Sequence, residues 1–172
     1  MMPRITHCTD ANVSERKRIV PADIFVSEEA ISDMLEHAAQ SAMNNEEAMG
    51  LLAGSVHKDN DHIYAIVTKA VTSGLLSDSV SVRFDPSDME TLFDALDRLD
   101  FEYVIVGWYH SHLGIGCFMS ETDVSTHASA FGASGYAIVI DPIKEELKVF
   151  KGSDNGPVEA SMVVTEDHTQ MA

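Results

Sequence analysis

Positive charge is scarce in this chain. Lysine and arginine number 11 against 28 aspartates and glutamates, a formal net charge of −17 over 172 residues. Proteins that neutralise nucleic-acid phosphates need clustered cations, so DNA and RNA backbones are excluded as partners. Anionic membrane surfaces are excluded for the same reason. Cysteine is nearly absent: Cys8 and Cys117 lie far apart and form no disulfide framework, the pattern of reduced thiols inside a cell. No apolar run approaches the ~20 residues of a membrane-spanning helix, and the polar N-terminus carries no signal-peptide pattern. A cytoplasmic protein is therefore expected. Internal repeats, low-complexity blocks, Gly-rich phosphate loops and nucleophile elbows are missing as well, which leaves nucleotide chemistry without support. The acidic surplus suits a salt-rich cytoplasm, where such surfaces stay soluble.

What the chain does have is enough apolar content, 45% of residues, to bury the core of one ordinary domain. Residues 1–17 are polar and patternless and read as a flexible arm, residues 18–165 as the folded domain, and residues 166–172 as a polar tail. Ser27 reads as an N-cap with Glu28 and Glu29 in the first turn. Ile31, Met34, Leu35, Ala38, Ala39 and Ala42 give that helix a buried stripe, ending near Asn44-Asn45. Strands are expected at 49–56, 62–67 and 80–84, and a helix from Asp85-Pro86 with Met89, Leu92, Phe93, Leu96 and Leu99 inward. A central strand fits 101–112, a short helix 121–131, and further strands 135–140, 147–151 and 158–165. The order predicts an α/β fold, a mixed sheet flanked by helices.

Chemistry concentrates between residues 110 and 123. His110 and His112 lie two apart on a strand, so both imidazoles face one side of the sheet. Ser120 and Asp123 fall at the start of the next helix, and seven residues separate Ser120 from His112. Two imidazoles and one carboxylate leave a fourth tetrahedral position open, as catalytic zinc sites do. Each part also has a plainer reading: His-x-His recurs by chance, and Ser120-x-x-Asp123 is a capping box. The two readings of Asp123 are compatible, because a cap fixes the carboxylate.

The run His110-x-His112, seven residues, Ser120, two residues, Asp123 matches the JAMM motif of the MPN+ zinc metalloproteases without a gap. Glu47-Ala48-Met49-Gly50 resembles the family's Glu-x-x-Gly segment. The stretch Gly107-Trp108-Tyr109-His110-Ser111-His112, the Gly116-Cys117 pair and Ile140-Asp141-Pro142 are most similar to the proteasome-lid deubiquitinase and signalosome isopeptidase subgroup. The resemblance spans roughly residues 19–152 and implies the MPN fold, a cytidine-deaminase-like mixed sheet.

It further implies one Zn2+ per chain held by His110, His112 and Asp123 with a water. Glu47 would be the general base, preferred over Glu46 because only Glu47 has glycine three residues on. Ser120 would stabilise the oxyanion. The implied activity is cleavage of ubiquitin-like, β-grasp modifiers after their C-terminal Gly-Gly. Processing of a sulfur-carrier-type protein and a non-catalytic MPN scaffold are the alternatives. Residues 72–83 sit where the family's first insertion meets the modifier tail, so Val80, Ser81 and Val82 are candidates for pairing with it by strand addition; an ordinary hairpin fits them equally.

Two departures stand out: Leu113 replaces the usual proline, and only about 20 residues follow Gly152. The short tail argues against docking with an inactive MPN partner and suggests an archaeal-type catalytic core, free-standing or homodimeric. Among the other histidines, His127 is read as a solvated helix residue or an outer neighbour of the site. Cys117 is read as a small buried thiol. The charge adds an expectation about substrate: an acidic enzyme favours a basic or apolar modifier surface, and activity toward an acidic one rises with salt.

Overall fold

Ser27 ends one element and starts the next. Its hydroxyl accepts the Ala30 N–H at 3.1 Å and donates to the Thr68 carbonyl at 3.0 Å, so the cap of the first helix is tied to a neighbouring strand. The computed structural model describes residues 21–72 and 103–166. Among these, β1 (Ile24–Ser27) leads into α1 (Glu28–Met43), followed by β2 (Met49–Asp59), β3 (His62–Thr72), β4 (Val104–Ser111) and α2 (Glu121–Ala130). Then come β5 (Tyr136–Asp141), β6 (Glu146–Lys151), β7 (Val158–Glu159) and β8 (Met162–Thr165). The expected strand at 80–84, the helix from Asp85, the N-terminal arm and most of the tail lie outside the described residues.

All eight strands form one mixed sheet in the order β7-β6-β5-β4-β2-β3-β1-β8. β1 runs parallel to β3 and β8, and β4 parallel to β5; the other pairs are antiparallel. The segment read as one edge strand at 158–165 is two strands on opposite edges of this sheet. Only Ala160 and Ser161 join them, and three extended residues reach about 11 Å, so the sheet curls until its edges nearly meet. The bonds at the seam show it: Ala160 N–H donates to Val149 of β6, while Asp23 and Ile24 N–H donate to the Ser161 carbonyl. Lys151 on β6 reaches Asp23 at 3.6 Å.

Two register shifts assist the curl. β2 pairs Leu52 with Gly107 but Ala53 with Ile105, so Val106 is an extra residue in β4, and a similar shift occurs opposite Ala53/Gly54 in β3. Bulges of this kind bend and twist a strand and change which face its side chains take. Val106 accordingly joins the core under α1, with Ile24, Val26, Leu52, Val67 and Ile138. Beyond the bulge Tyr109 stays with that core, whereas Trp108 packs with Met49, Leu51 and Ala137 on the other face.

α1 buries Ala30, Met34, Ala38 and Ser41. This differs from the expected stripe: Leu35 is 44% exposed, and Ala39 is also on the outer side. Small Ala30, Ala38 and Ser41 around Met34 let the helix settle close on the sheet, with Leu35 left outside the contact.

Candidate metal centre

Past the bulge, alternation on β4 places Trp108, His110 and then His112 on one face, the side covered by α2. His110 is fully buried and His112 nearly so. Asp123, in the first turn of α2 and 3% exposed, brings its Oδ2 to 3.3 Å from His110 Nε2 and 3.5 Å from His112 Nε2. One donor atom from each residue lies within 4.8 Å of the others. The carboxylate is held by a capping box: Ser120 N–H and Oγ–H donate to Oδ2 at 2.8 and 2.6 Å, and Ser120 Oγ accepts the Asp123 N–H at 3.2 Å. The two readings of Ser120-x-x-Asp123 thus hold together in one geometry.

Protonation suits a metal. His112 Nδ1 lies 2.7 Å from the Gly116 carbonyl. A carbonyl only accepts, so Nδ1 carries the proton and Nε2 presents its lone pair toward Asp123. Among the described residues, His110 Nε2 and Nδ1 are buried without an aligned hydrogen-bond partner, and burial depresses the pKa of this imidazole, favouring the neutral form. Burial alone would raise Asp123, but the His110 and His112 imidazoles and the Ser120 hydroxyl hold its carboxyl far below the usual range. Burial would lower His112, yet Asp123, the Gly116 carbonyl and Glu47 raise it. The buried His110 imidazole, kept neutral, the His112 Nε2 and an ionised Asp123 carboxylate converge on one spot. The residues fit a divalent metal.

Glu47 follows α1 and a turn through Asn45, whose φ is +58°. The adjoining peptide is clamped to β4: Ala48 N–H donates to Ser111 Oγ at 2.7 Å, and Ser111 N–H to the Ala48 carbonyl at 2.9 Å. Glu47 is half-buried. Burial raises its pKa, with His112 lowering it and Asp123 raising it, so its carboxylate lies within electrostatic reach of the site. The glycine three residues on has a steric reason. A Cβ at Gly50 would sit 2.4 Å from the Tyr109 ring and from the Val71 carbonyl, so only glycine lets Tyr109 cross this strand.

The loop between His112 and Ser120 is fixed from below. Buried Asp141 accepts N–H groups from Gly114 and Gly116 at 3.0 and 2.6 Å, and from Ile143 and Lys144 at 3.1 Å each. Gly116 has φ +89°, a conformation other residues resist, and it supplies the carbonyl that orients His112. The loop is therefore anchored even with Leu113 in place of proline. Cys117 is buried, and burial pushes its thiol up to about 11, as an inert small side chain would be.

Val80, Ser81 and Val82 lie outside the described residues. His37, His57 and His62 bond elsewhere, to Tyr109, Ser55 and the Ala22 carbonyl. His127 is not a solvated residue: it is 1% exposed and its Nδ1 receives the Trp108 indole N–H at 3.1 Å. Sequence reasoning missed that link and the Ser111 clamp. The signal for Ser111 was its place between the histidines, on the opposite face; for His127 it was the four-residue step from Asp123.

A curled mixed sheet flanked by helices, with this His-His-Asp cluster at the end of its central strand, defines an MPN-type domain. The chain belongs to the JAB1/Mov34/MPN/PAD-1 ubiquitin protease family, whose model matches residues 21–132. Among its relatives, the 26S proteasome non-ATPase regulatory subunit 14 of Dictyostelium discoideum is 33% identical over 123 residues, 70% of this chain and 39% of that protein. The ubiquitin carboxyl-terminal hydrolase RPN11 of Saccharomyces cerevisiae is 32% identical over 124 residues, again 70% and 39%. The chain thus spans about two fifths of these relatives. The solution structure of a Desulfitobacterium hafniense protein superposes with a TM-score of 0.59 at 24% identity, covering 85% of this chain and 95% of that one, a likeness of fold. Among the described residues, no helix is long and apolar enough to cross a membrane.

Proposed function

We propose that this chain is a zinc-dependent isopeptidase that cleaves ubiquitin-like, β-grasp modifiers at their C-terminal Gly-Gly, with residues 18–165 as its catalytic domain and the cytoplasm as its site of action. The observation that carries this reading is the convergence of His110, His112 and Asp123 beside a half-buried Glu47. Zinc bound there supplies Lewis acidity and lowers the pKa of a coordinated water toward ~7. Glu47 takes the proton of the attacking water and returns it to the leaving amine; its raised pKa brings it closer to the working pH of a general base. Ser120 now commits its proton to Asp123 Oδ2, so its part in holding the oxyanion requires that hydroxyl to rotate toward the substrate. The Ser111 clamp keeps the Glu47 peptide in register with the histidines.

The test is cleavage of linear and isopeptide-linked modifier fusions by the zinc-loaded chain. Glu47→Gln should keep one zinc and lose about 10²- to 10⁴-fold in kcat/KM, the usual worth of a general base. A Glu47→Gln variant that cleaves as fast as wild type would remove Glu47 from the mechanism. A chain that binds no zinc at saturation, or binds it and cleaves no fusion, would overturn the enzyme reading.

A further inference from the structure

The two histidines of the metal centre are held in different ways. A metal-ligating imidazole ordinarily donates its second ring N–H to an oxygen, which fixes the plane of the ring. His112 does so through the Gly116 carbonyl. His110 does not: its Nδ1 is buried with no hydrogen-bond partner among the described residues. What bounds this ring is Trp108, stacked on it with centroids 4.5 Å apart and planes 22° from parallel. An indole can serve as a fixed wall only if its own rotation is stopped. Its N–H points at His127 Nδ1, 3.1 Å away.

That bond is one-directional. Indole N–H can only donate, so His127 Nδ1 must be unprotonated and Nε2 must carry the proton. Burial keeps His127 in this neutral form. Asp123 and His127 are four residues apart and share one face of α2, and they are the buried residues of that helix. One helix face therefore presents the carboxylate of the metal centre and the acceptor that stops the indole.

We propose that His127 is a positioning residue of the metal centre: through Trp108 it fixes the plane of His110, whose Nδ1 takes no hydrogen bond from the described residues. The inference rests on the metal-site reading above. A second feature makes it testable. His127 lines a pocket of about 270 Å³ together with Val124, Ala128, Gly132, Gly152 and Pro157, and a Cβ at Gly152 would lie 3.0 Å from its Nε2. Truncating His127 extends this pocket inward to the indole N–H, leaving room for a free imidazole to take the vacated place.

The experiment uses the full chain as wild type, His127→Leu, His127→Gln and His127→Ala. Zinc affinity is read by competition with a chromophoric chelator, and the environment of Trp108 by its emission, since it is the only tryptophan. His127→Leu should weaken zinc binding about 10- to 100-fold, the range for lost outer partners of a ligand, and shift the emission. His127→Gln, whose amide oxygen can accept the indole proton, should stay within about 3-fold of wild type. His127→Ala should resemble the leucine variant and recover both signals when millimolar imidazole is added. Wild-type zinc affinity in a folded His127→Leu overturns the proposal. So does a loss that neither glutamine nor imidazole restores, because that is the mark of a packing role alone. Both readouts are independent of substrate: a chain that shows this zinc pattern and cleaves no modifier retains the positioning role and loses the isopeptidase reading.

Discussion

α1 and α2 grip the same sheet by opposite means. α1 lays Ala30, Met34 and Ala38 onto Ile24, Val26, Leu52 and Val67, a contact without direction that any close-packed apolar surface would satisfy. α2 buries Asp123 and His127 in directed polar contacts, Asp123 with Ser120 and the two imidazoles and His127 with the Trp108 indole. β4 serves both, with Tyr109 facing the α1 core and Trp108, His110 and His112 facing α2. The contrast separates two tasks. Apolar burial sets the stability of the domain, and directional polar contacts set the geometry of the site, at the cost of leaving α2 weakly held by burial alone.

Met34→Ala probes the first face most strongly. Met34 is fully buried, and such a truncation costs about 2–5 kcal/mol in urea denaturation. Zinc affinity should not change, because His110, His112 and Asp123 lie on the face of the sheet opposite the core that Met34 packs into. A parallel fall in zinc affinity would show that the two faces are coupled through β4. Metal removal probes the second face. At zinc 100-fold above its Kd, binding stabilises the folded state by about 2.7 kcal/mol, and that amount should vanish with chelator. Amide exchange should accelerate in α2 and in residues 113–119, while α1 amides keep their protection. Uniform acceleration across both helices would mean that α2 is no more dependent on the site than α1 is.

How much of this was legible in the sequence follows from the same distinction. Local signals located α1, β2, β3, β4, α2, β5 and β6 within a few residues, because caps, periodicity and turn residues act over one or two turns of chain. Ser27 and Ser120 both cap as expected. The His110-His112-Asp123 cluster was legible because those residues are close in sequence and their types are chemically restricted. Three things were not. The split of residues 158–165 onto opposite edges depends on how far the whole sheet curls, a sum over every strand. The bulge at Val106 shifts the face of its neighbours and leaves no composition signal. For His127 a solvated face and an outer neighbour of the site both stayed open, because a helix with so few apolar residues reads as exposed; its bond to the Trp108 indole is a polar contact that hydrophobic periodicity does not register.

Asp141 offers the finest probe, since it holds polar structure with charge. Burial by itself would raise its pKa, but N–H donors from Gly116, Lys144, Gly114 and Ile143 outweigh that and hold the carboxyl below its usual 3.8. Because the folded-state value is the lower one, the carboxylate stabilises the fold above pH 3.8, and this stabilisation is lost as pH falls through the folded-state value. Asparagine offers one acceptor oxygen and turns an NH2 toward amides, so Asp141→Asn should cost about 1–3 kcal/mol at neutral pH. The gap between wild type and Asp141→Asn should be full at pH 7 and narrow below pH 3.8, whereas the Met34→Ala gap, with no titrating group, should hold constant over the same range. Denaturation curves at a series of pH values compare the two directly. If both gaps narrow together, acid is loosening the apolar layer as well and the division of labour fails. If the Asp141 gap alone closes, the loop that orients His112 through the Gly116 carbonyl is the acid-sensitive part of this domain, and the layer under α1 is what survives it.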